Sequence, residues 1–270
     1  KGWSLKDLYA KAWTPWSWFP ALIKEAKECG LEWWSTPFDL ESIHFLEELE
    51  CPRYKIASFE LIDLPLISAA GYTGKPLILS TGMATFDEIK DAVLTIPRGS
   101  DVTLLKCVSS YPALPKDYNL LAMKDMAANF NCKVGLSDHT KGVTVPVVAA
   151  AMGASMIERH ITVSRELGLD DSFASDPDEF ADMVAAVKLA LDSMGEAVYG
   201  PTEREKPSLY LRRGLWGVED IPSGGRITMG NVRSARPAEG MPPGHLPFLL
   251  GRPVLKDIKA GTPLKWEMIV

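Results

Sequence analysis

From Leu31 to about Ala197, short apolar runs alternate with longer segments of helix-like period. That alternation marks successive βα units around a parallel sheet. Six runs read as strands: Glu32–Ser35, Tyr54–Ala57, Pro76–Ser80, Thr103–Cys107, Lys133–Leu136 and Ser155–Glu158. Leu40–Leu49, Phe86–Leu94, Val145–Met152 and Asp178–Met194 read as helices, and ahead of them Leu5–Ala12 and Ala21–Cys29 flank a Trp-rich turn. Asp87 and Glu88 open one helix and Asp176-Pro-Asp-Glu another, as the helix dipole and a first-turn proline favour. These acidic residues need no functional explanation. Six units fit either an open doubly wound sheet or part of an eight-unit barrel, and periodicity does not choose between them.

The helical period stops near Glu196, where Gly, Pro and mixed charge take over. The reading is a first domain over 1–197, a linker over 198–209 and a small turn-rich β domain over 210–270, its short segments broken by Pro-Ser-Gly-Gly, Met-Pro-Pro-Gly and Ala-Gly-Thr-Pro. A chain of 270 residues holds one large core and leaves about sixty residues for such a second domain.

Composition narrows the function classes. Hydrophobic residues at 46% and charged ones at 24% describe an ordinary globular chain, and no apolar run approaches the roughly 18 residues of a spanning helix. A formal charge of -6 argues against a broad nucleic-acid surface. The four cysteines have neither CxxC spacing nor a nearby histidine, so they read as reduced thiols. The first residues show no apolar signal region, and a cytoplasmic location is expected.

Polar residues concentrate at the strand ends, where a parallel barrel carries its active site. His139 and His160 end neighbouring strands, within reach of one divalent ion in a barrel, although a lone histidine is more often structural. Ser80-Thr81-Gly82 and Ser109-Ser110 offer hydroxyl and N–H groups to a phosphate, or are merely turn chemistry. Lys55 and Lys106 lie within strands, where a lysine is costly unless it meets an anion. Glu158 and Asp171 suit sugar hydroxyls or proton transfer, or support the histidines from behind. The Trp13–Trp18 stretch suits sugar stacking, with loop packing the plainer reading.

These residues fall in blocks that resemble the sialic acid synthase (nonulosonic acid synthase) family: Tyr-Lys-Ile-Ala-Ser-Phe-Glu at 54–60, Gly-Lys-Pro-Leu-Ile-Leu-Ser-Thr-Gly-Met at 74–83, Gly-Leu-Ser-Asp-His-Thr at 135–140, Ile-Glu-Arg-His at 157–160, and Arg-Arg-Gly-Leu and Asn-Val-Arg-Ser-Ala-Arg-Pro in the tail. Within that family, residues 8–18 and the Ala-Ser-Phe-Glu block look like the pseudaminic branch, with legionaminic and N-acetylneuraminic synthases as alternatives. The resemblance implies a (β/α)8 TIM barrel followed by a small antifreeze-like (SAF, β-clip) domain. It also implies condensation of phosphoenolpyruvate with an open-chain amino sugar, release of phosphate, and a divalent cofactor, Mn2+ or Mg2+. By position, His139 and His160 are the implied metal ligands. Glu158 and Asp171 then face the amino sugar as catalytic groups, while Thr81, Ser109, Tyr111 and Ser137 line the phosphoenolpyruvate site. Arg236 is the implied sugar contact delivered to a partner subunit, so a domain-swapped homodimer is expected.

The six strands fall two βα units short of that barrel, a difference of roughly seventy residues, so the expectation is a barrel lacking its first two units. Two other readings stand beside it: a metal-dependent aldolase, which would release no phosphate, and an inactive sugar-binding or scaffolding relative.

Overall fold

The computed structural model describes residues 4–165 and 168–269. The chain divides into two units between Gly195 and Glu196. In the first, α1 (Leu5–Ala12), α2 (Phe19–Glu28) and α3 (Leu40–Glu48) precede a regular alternation. It runs β1 (Tyr54–Ile56), α4 (Leu64–Tyr72), β2 (Leu77–Ser80), α5 (Phe86–Thr95), β3 (Val102–Cys107), α6 (Ala122–Phe130), β4 (Lys133–Asp138), α7 (Thr144–Ala151), β5 (Ile157–Arg159) and α8 (Pro177–Met194). All four neighbouring pairs are parallel and the order is β1-β2-β3-β4-β5. Each strand lies beside the one before it, with no reversal of order. That is barrel winding, not the switch-point topology of a doubly wound sheet. The unit is a partial parallel barrel of fewer than eight strands.

The acidic helix starts are caps. Thr85 with Glu88, and Asp176 with Glu179, form reciprocal capping boxes at α5 and α8, the latter with Pro177 in the first turn. One expected strand does not form. Of Glu32–Ser35, only Ser35 bridges Tyr54, accepting from the Lys55 amide at 3.1 Å. No described strand lies on its far side to complete a ladder. An Arg53–Glu32 ion pair at 2.6 Å and Arg53 over the Trp34 ring hold it instead. The last expected strand starts at Ile157 rather than Ser155, although the Ser155 amide and hydroxyl both already donate to the Val134 carbonyl of β4.

Alternation divides each strand between two surfaces. Tyr54, Ile56, Leu77, Leu79, Leu104 and Leu136 pack against Ile67, Ile89, Met123 and Ala149 in the core between sheet and helices. The intervening residues face the barrel interior. There Gly135 is obligatory, since a Cβ would lie 2.6 Å from both Leu105 Cδ2 and the Met156 carbonyl oxygen.

In the second unit, a 3-10 helix spans Lys206–Leu211, across the boundary expected between the linker and the β domain. β6 (Gly214–Gly217) pairs antiparallel with β7 (Val232–Ala235), and α9 is Leu246–Leu249. Isolated bridges such as Ile221–Ile258 and Val254–Ile269 close a turn-rich β fold around Leu215, Ile227, Val232 and Leu264. Among the described residues, no helix is long and apolar enough to cross a membrane.

Candidate active site

The C-terminal strand ends of the first unit surround a cavity of about 390 Å³. Lys55, Ser80, Cys107, Ser137 and Glu158 line it from β1 to β5, joined by Ser58, Tyr111, His139 and His160 from the loops. The register explains the grouping: Cys107, Ser137 and Glu158 form one cross-strand row. Ser137 donates to Glu158 Oε1 at 2.7 Å, and Lys55 Nζ lies 3.5 Å from the same oxygen. Lys55 is 7% exposed, so its ammonium depends on that carboxylate and on the Ile56 carbonyl at 3.3 Å. Ser80 Oγ, in a residue 2% exposed, has no hydrogen-bond partner. A buried hydroxyl without a partner beside a buried cation is a place for an anionic oxygen.

On the other wall, His139 and His160 have ring centres 5.2 Å apart. Nδ1 of His139 lies 2.8 Å from the Val108 carbonyl, and Nδ1 of His160 lies 2.9 Å from Asp170 Oδ2. Each ring therefore has Nδ1 held by oxygen, the usual state of metal-binding imidazoles, and His139 also hydrogen-bonds the Cys107 thiol. Among the described residues, no group of three or more His, Cys, Asp and Glu side chains is gathered as a metal cage. The two imidazoles alone fit a divalent ion whose other positions go to water or substrate oxygens. The buried Tyr118 hydroxyl fixes the histidine-bearing loop, accepting from the His139 amide at 2.7 Å and donating to the Ser137 carbonyl at 3.1 Å. Tyr111 and Phe173 pack on the histidines, with ring centres 4.4 Å from His139 and 5.0 Å from His160 respectively.

Cys107 sits in the same wall. Burial pushes its thiol up, but hydrogen bonds from His139, Ser58 and Ser137 outweigh this and bring it to about 7. Burial acts to lower His139, yet its bonds to Cys107 and the Val108 carbonyl leave it raised.

The other expected site residues lie elsewhere. Lys106 has the parity of Leu104 and is not part of the cavity wall; burial lowers its pKa. Thr81 is buried and donates to the Leu105 carbonyl at 3.0 Å. Ser109 stands behind the wall, its Oγ 3.8 Å from Cys107 Sγ and packed near Gly82. Asp171 organises the loop after β5, accepting from Thr162 Oγ1 at 2.8 Å and the Gly168 amide at 2.6 Å. It borders a separate cavity of about 450 Å³ shared with Tyr9 and Asp170. Arg236 is exposed just after β7 of the second unit.

Sequence reasoning assigned no role to Ser58, Cys107, Asp170 or Phe173. Strand parity was the available signal for Cys107, two residues above Leu105 on the interior face. Asp170 and Phe173 come from an irregular loop, where nothing in the sequence shows which side chain folds back.

The NeuB family matches residues 1–199, and the SAF domain matches residues 212–270. The pseudaminic acid synthase of Helicobacter pylori is 42% identical over 98% of this chain and 79% of its own length. The N,N'-diacetyllegionaminic acid synthase of Legionella pneumophila is 36% identical over 92% of this chain and 72% of its own. Among solved structures, the N-acetylneuraminic acid synthetase of Leptospira borgpetersenii in complex with citrate aligns with a TM-score of 0.67 and 33% identity, covering 73% of this chain and 70% of that one.

Proposed function

The chain belongs to the NeuB family, with an SAF domain at its C-terminal end, and from that we propose that it condenses phosphoenolpyruvate with an open-chain amino sugar and releases phosphate. The sugar we assign is the 6-deoxy diacetamido hexose that gives pseudaminic acid. The observation that carries the reading is one cavity holding a buried lysine, an unpartnered serine hydroxyl and two neighbouring imidazoles.

In this reading Lys55 neutralises the phosphate and the unpartnered Ser80 hydroxyl donates to one of its oxygens, while Ser58 and Ser137 line the same wall. Tyr111 closes the cavity over the enol. His139 and His160 would hold Mn2+ or Mg2+, which when bound supplies Lewis acidity toward the sugar aldehyde. Glu158, held by Ser137 and Lys55, accepts from a sugar hydroxyl and turns the open chain toward the enol carbon. The bond formed joins C3 of phosphoenolpyruvate to the aldehyde carbon; water then adds at C2 and phosphate leaves. Asp171 shapes the loop that borders the sugar. Arg236 completes the site of a partner subunit in a homodimer, on the strength of the family blocks around it.

The test is phosphate release from phosphoenolpyruvate with Mn2+ or Mg2+, offering the pseudaminic, legionaminic and N-acetylmannosamine substrates in parallel. Release with the pseudaminic substrate alone supports the assignment. Release with another substrate overturns the branch, and condensation without phosphate release overturns the reaction.

A further inference from the structure

The strand ends that carry the two histidines are joined from behind. Asp138 and Arg159 are direct cross-strand partners of β4 and β5. They have the opposite parity to Ser137 and Glu158, and Arg159 also borders the cavity at the strand end. Both side chains are sealed from solvent, at 0% and 4% exposure, with Arg159 Nη1 3.5 Å from Asp138 Oδ2. The guanidinium also donates to the Gly142 carbonyl at 2.7 Å and the Thr140 carbonyl at 2.5 Å. Asp138 Oδ1 accepts from the Thr140 amide at 2.9 Å and its hydroxyl at 2.8 Å. One planar fork rooted between Glu158 and His160 therefore reaches across the turn that follows His139.

None of the chemistry assigned above uses this pair. Stability is a poor reason for it, because apolar replacements of buried ion pairs are often as stable or more so. Arg159 Nε and Asp138 Oδ2 have no hydrogen-bond partner, so the pair is not even fully satisfied. A guanidinium fork does supply what an apolar side chain does not: directional hydrogen bonds to two carbonyls at once, with its charge set beside a carboxylate.

We infer that Asp138 and Arg159 are positioning residues that set His139 against His160 at the separation where both reach one divalent ion. The inference rests on the metal reading given above. Loss of the fork leaves His139 anchored by Tyr118 and Val108 but frees the turn behind it to move relative to β5.

The test is calorimetric titration of Mn2+ alone into the 270-residue chain and into Arg159→Lys, Arg159→Met and the double variant Asp138→Asn/Arg159→Met, with melting followed in parallel. Groups that orient metal-binding histidines typically contribute about 10- to 100-fold in affinity, and a loss in that range is expected for Arg159→Met. Arg159→Lys keeps the charge without the fork and should recover only part of the loss. The double variant removes both charges, so it should melt close to the unaltered protein yet bind Mn2+ as weakly as Arg159→Met. Unchanged Mn2+ affinity in the double variant overturns the positioning role alone. If the unaltered chain binds Mn2+ no better than His139→Ala, the metal reading itself fails and this inference falls with it.

Discussion

Replacing Lys55 by Met removes one charge from the cavity while keeping most of the apolar stem. Nζ lies 3.5 Å from Glu158 Oε1, with the lysine side chain 8% and the glutamate side chain 36% exposed. At that distance the attraction is about 5 kcal/mol at an effective dielectric near 20 and about 1 kcal/mol in water. The exposure of Glu158 places the pair toward the lower figure. The substitution also relieves the cost of burying an ammonium, so the net change in stability is about 1 kcal/mol, a Tm shift of about 2–4 °C for a domain of this size. The effect on phosphoenolpyruvate is larger. A hydrogen bond to a charged group contributes about 1.5–3 kcal/mol, so its KM should rise about 10- to 140-fold at ~1.4 kcal/mol per decade. Steady-state phosphate release with saturating sugar measures KM, and a melting curve measures the fold. An unchanged KM with an unchanged melt would refute the phosphate role of Lys55. A large loss of Tm that accounts for the lost activity would show that the lysine serves the fold instead.

His139→Ala should abolish Mn2+-dependent phosphate release while the melt stays within a few degrees; undiminished turnover in the variant would sink its assignment as a metal ligand. Gly135→Ala should destabilise by about 1–3 kcal/mol through overpacking against Leu105 and the Met156 carbonyl, read as a lower denaturant midpoint; an unchanged midpoint would mean the sheet gives way at little cost. Tyr118→Phe leaves the buried His139 amide without its acceptor and should cost about 1–3 kcal/mol, accompanied by faster hydrogen exchange at that amide. Glu47 meets Lys75 at 2.5 Å and also hydrogen-bonds Tyr54. Burial pushes its carboxyl up, but those partners outweigh it and leave it below its ordinary 4.5. Its contribution is therefore full above the unfolded value and is lost as pH falls through the folded one. Glu47→Gln should flatten the acid side of the melting profile below about pH 5, and an identical slope in both proteins would remove the pair from that account.

Much of the fold was legible because strand and helix periods are local signals. The strands at Tyr54, Leu77, Val102 and Lys133 are short apolar runs bounded by turn residues, and they form within a residue or two of where pattern puts them. Glu32–Ser35 is also a short run with apolar residues but makes only the single Ser35–Tyr54 bridge, a tertiary outcome that local pattern does not show. Helix α4, Leu-Pro-Leu-Ile-Ser-Ala-Ala-Gly-Tyr, has no polar stripe because so many of its residues are buried, so no amphipathic signal marks it. For the site, the strand-end blocks located Lys55, Ser137, Glu158 and both histidines. They did not separate Lys106 from Cys107, one residue apart on opposite faces.

That parity orders the consequences of substitution across the sheet. On β4, Leu136 belongs to the helix-side core and Ser137 to the cavity; on β5, Ile157 packs on the core and Glu158 lines the cavity. A change at Leu136 removes packing that supports every neighbouring strand and should appear first as lost stability. A change at Ser137 removes one hydrogen bond to a partly exposed carboxylate and should appear first as lost turnover. Asp138 and Arg159 break the pattern: buried on the core side by position, they are polar, only partly satisfied, and bonded to the turn that presents His139. If the same sheet face that stabilises the barrel also aims its histidines, the pair explains why charge persists there at the expense of apolar packing.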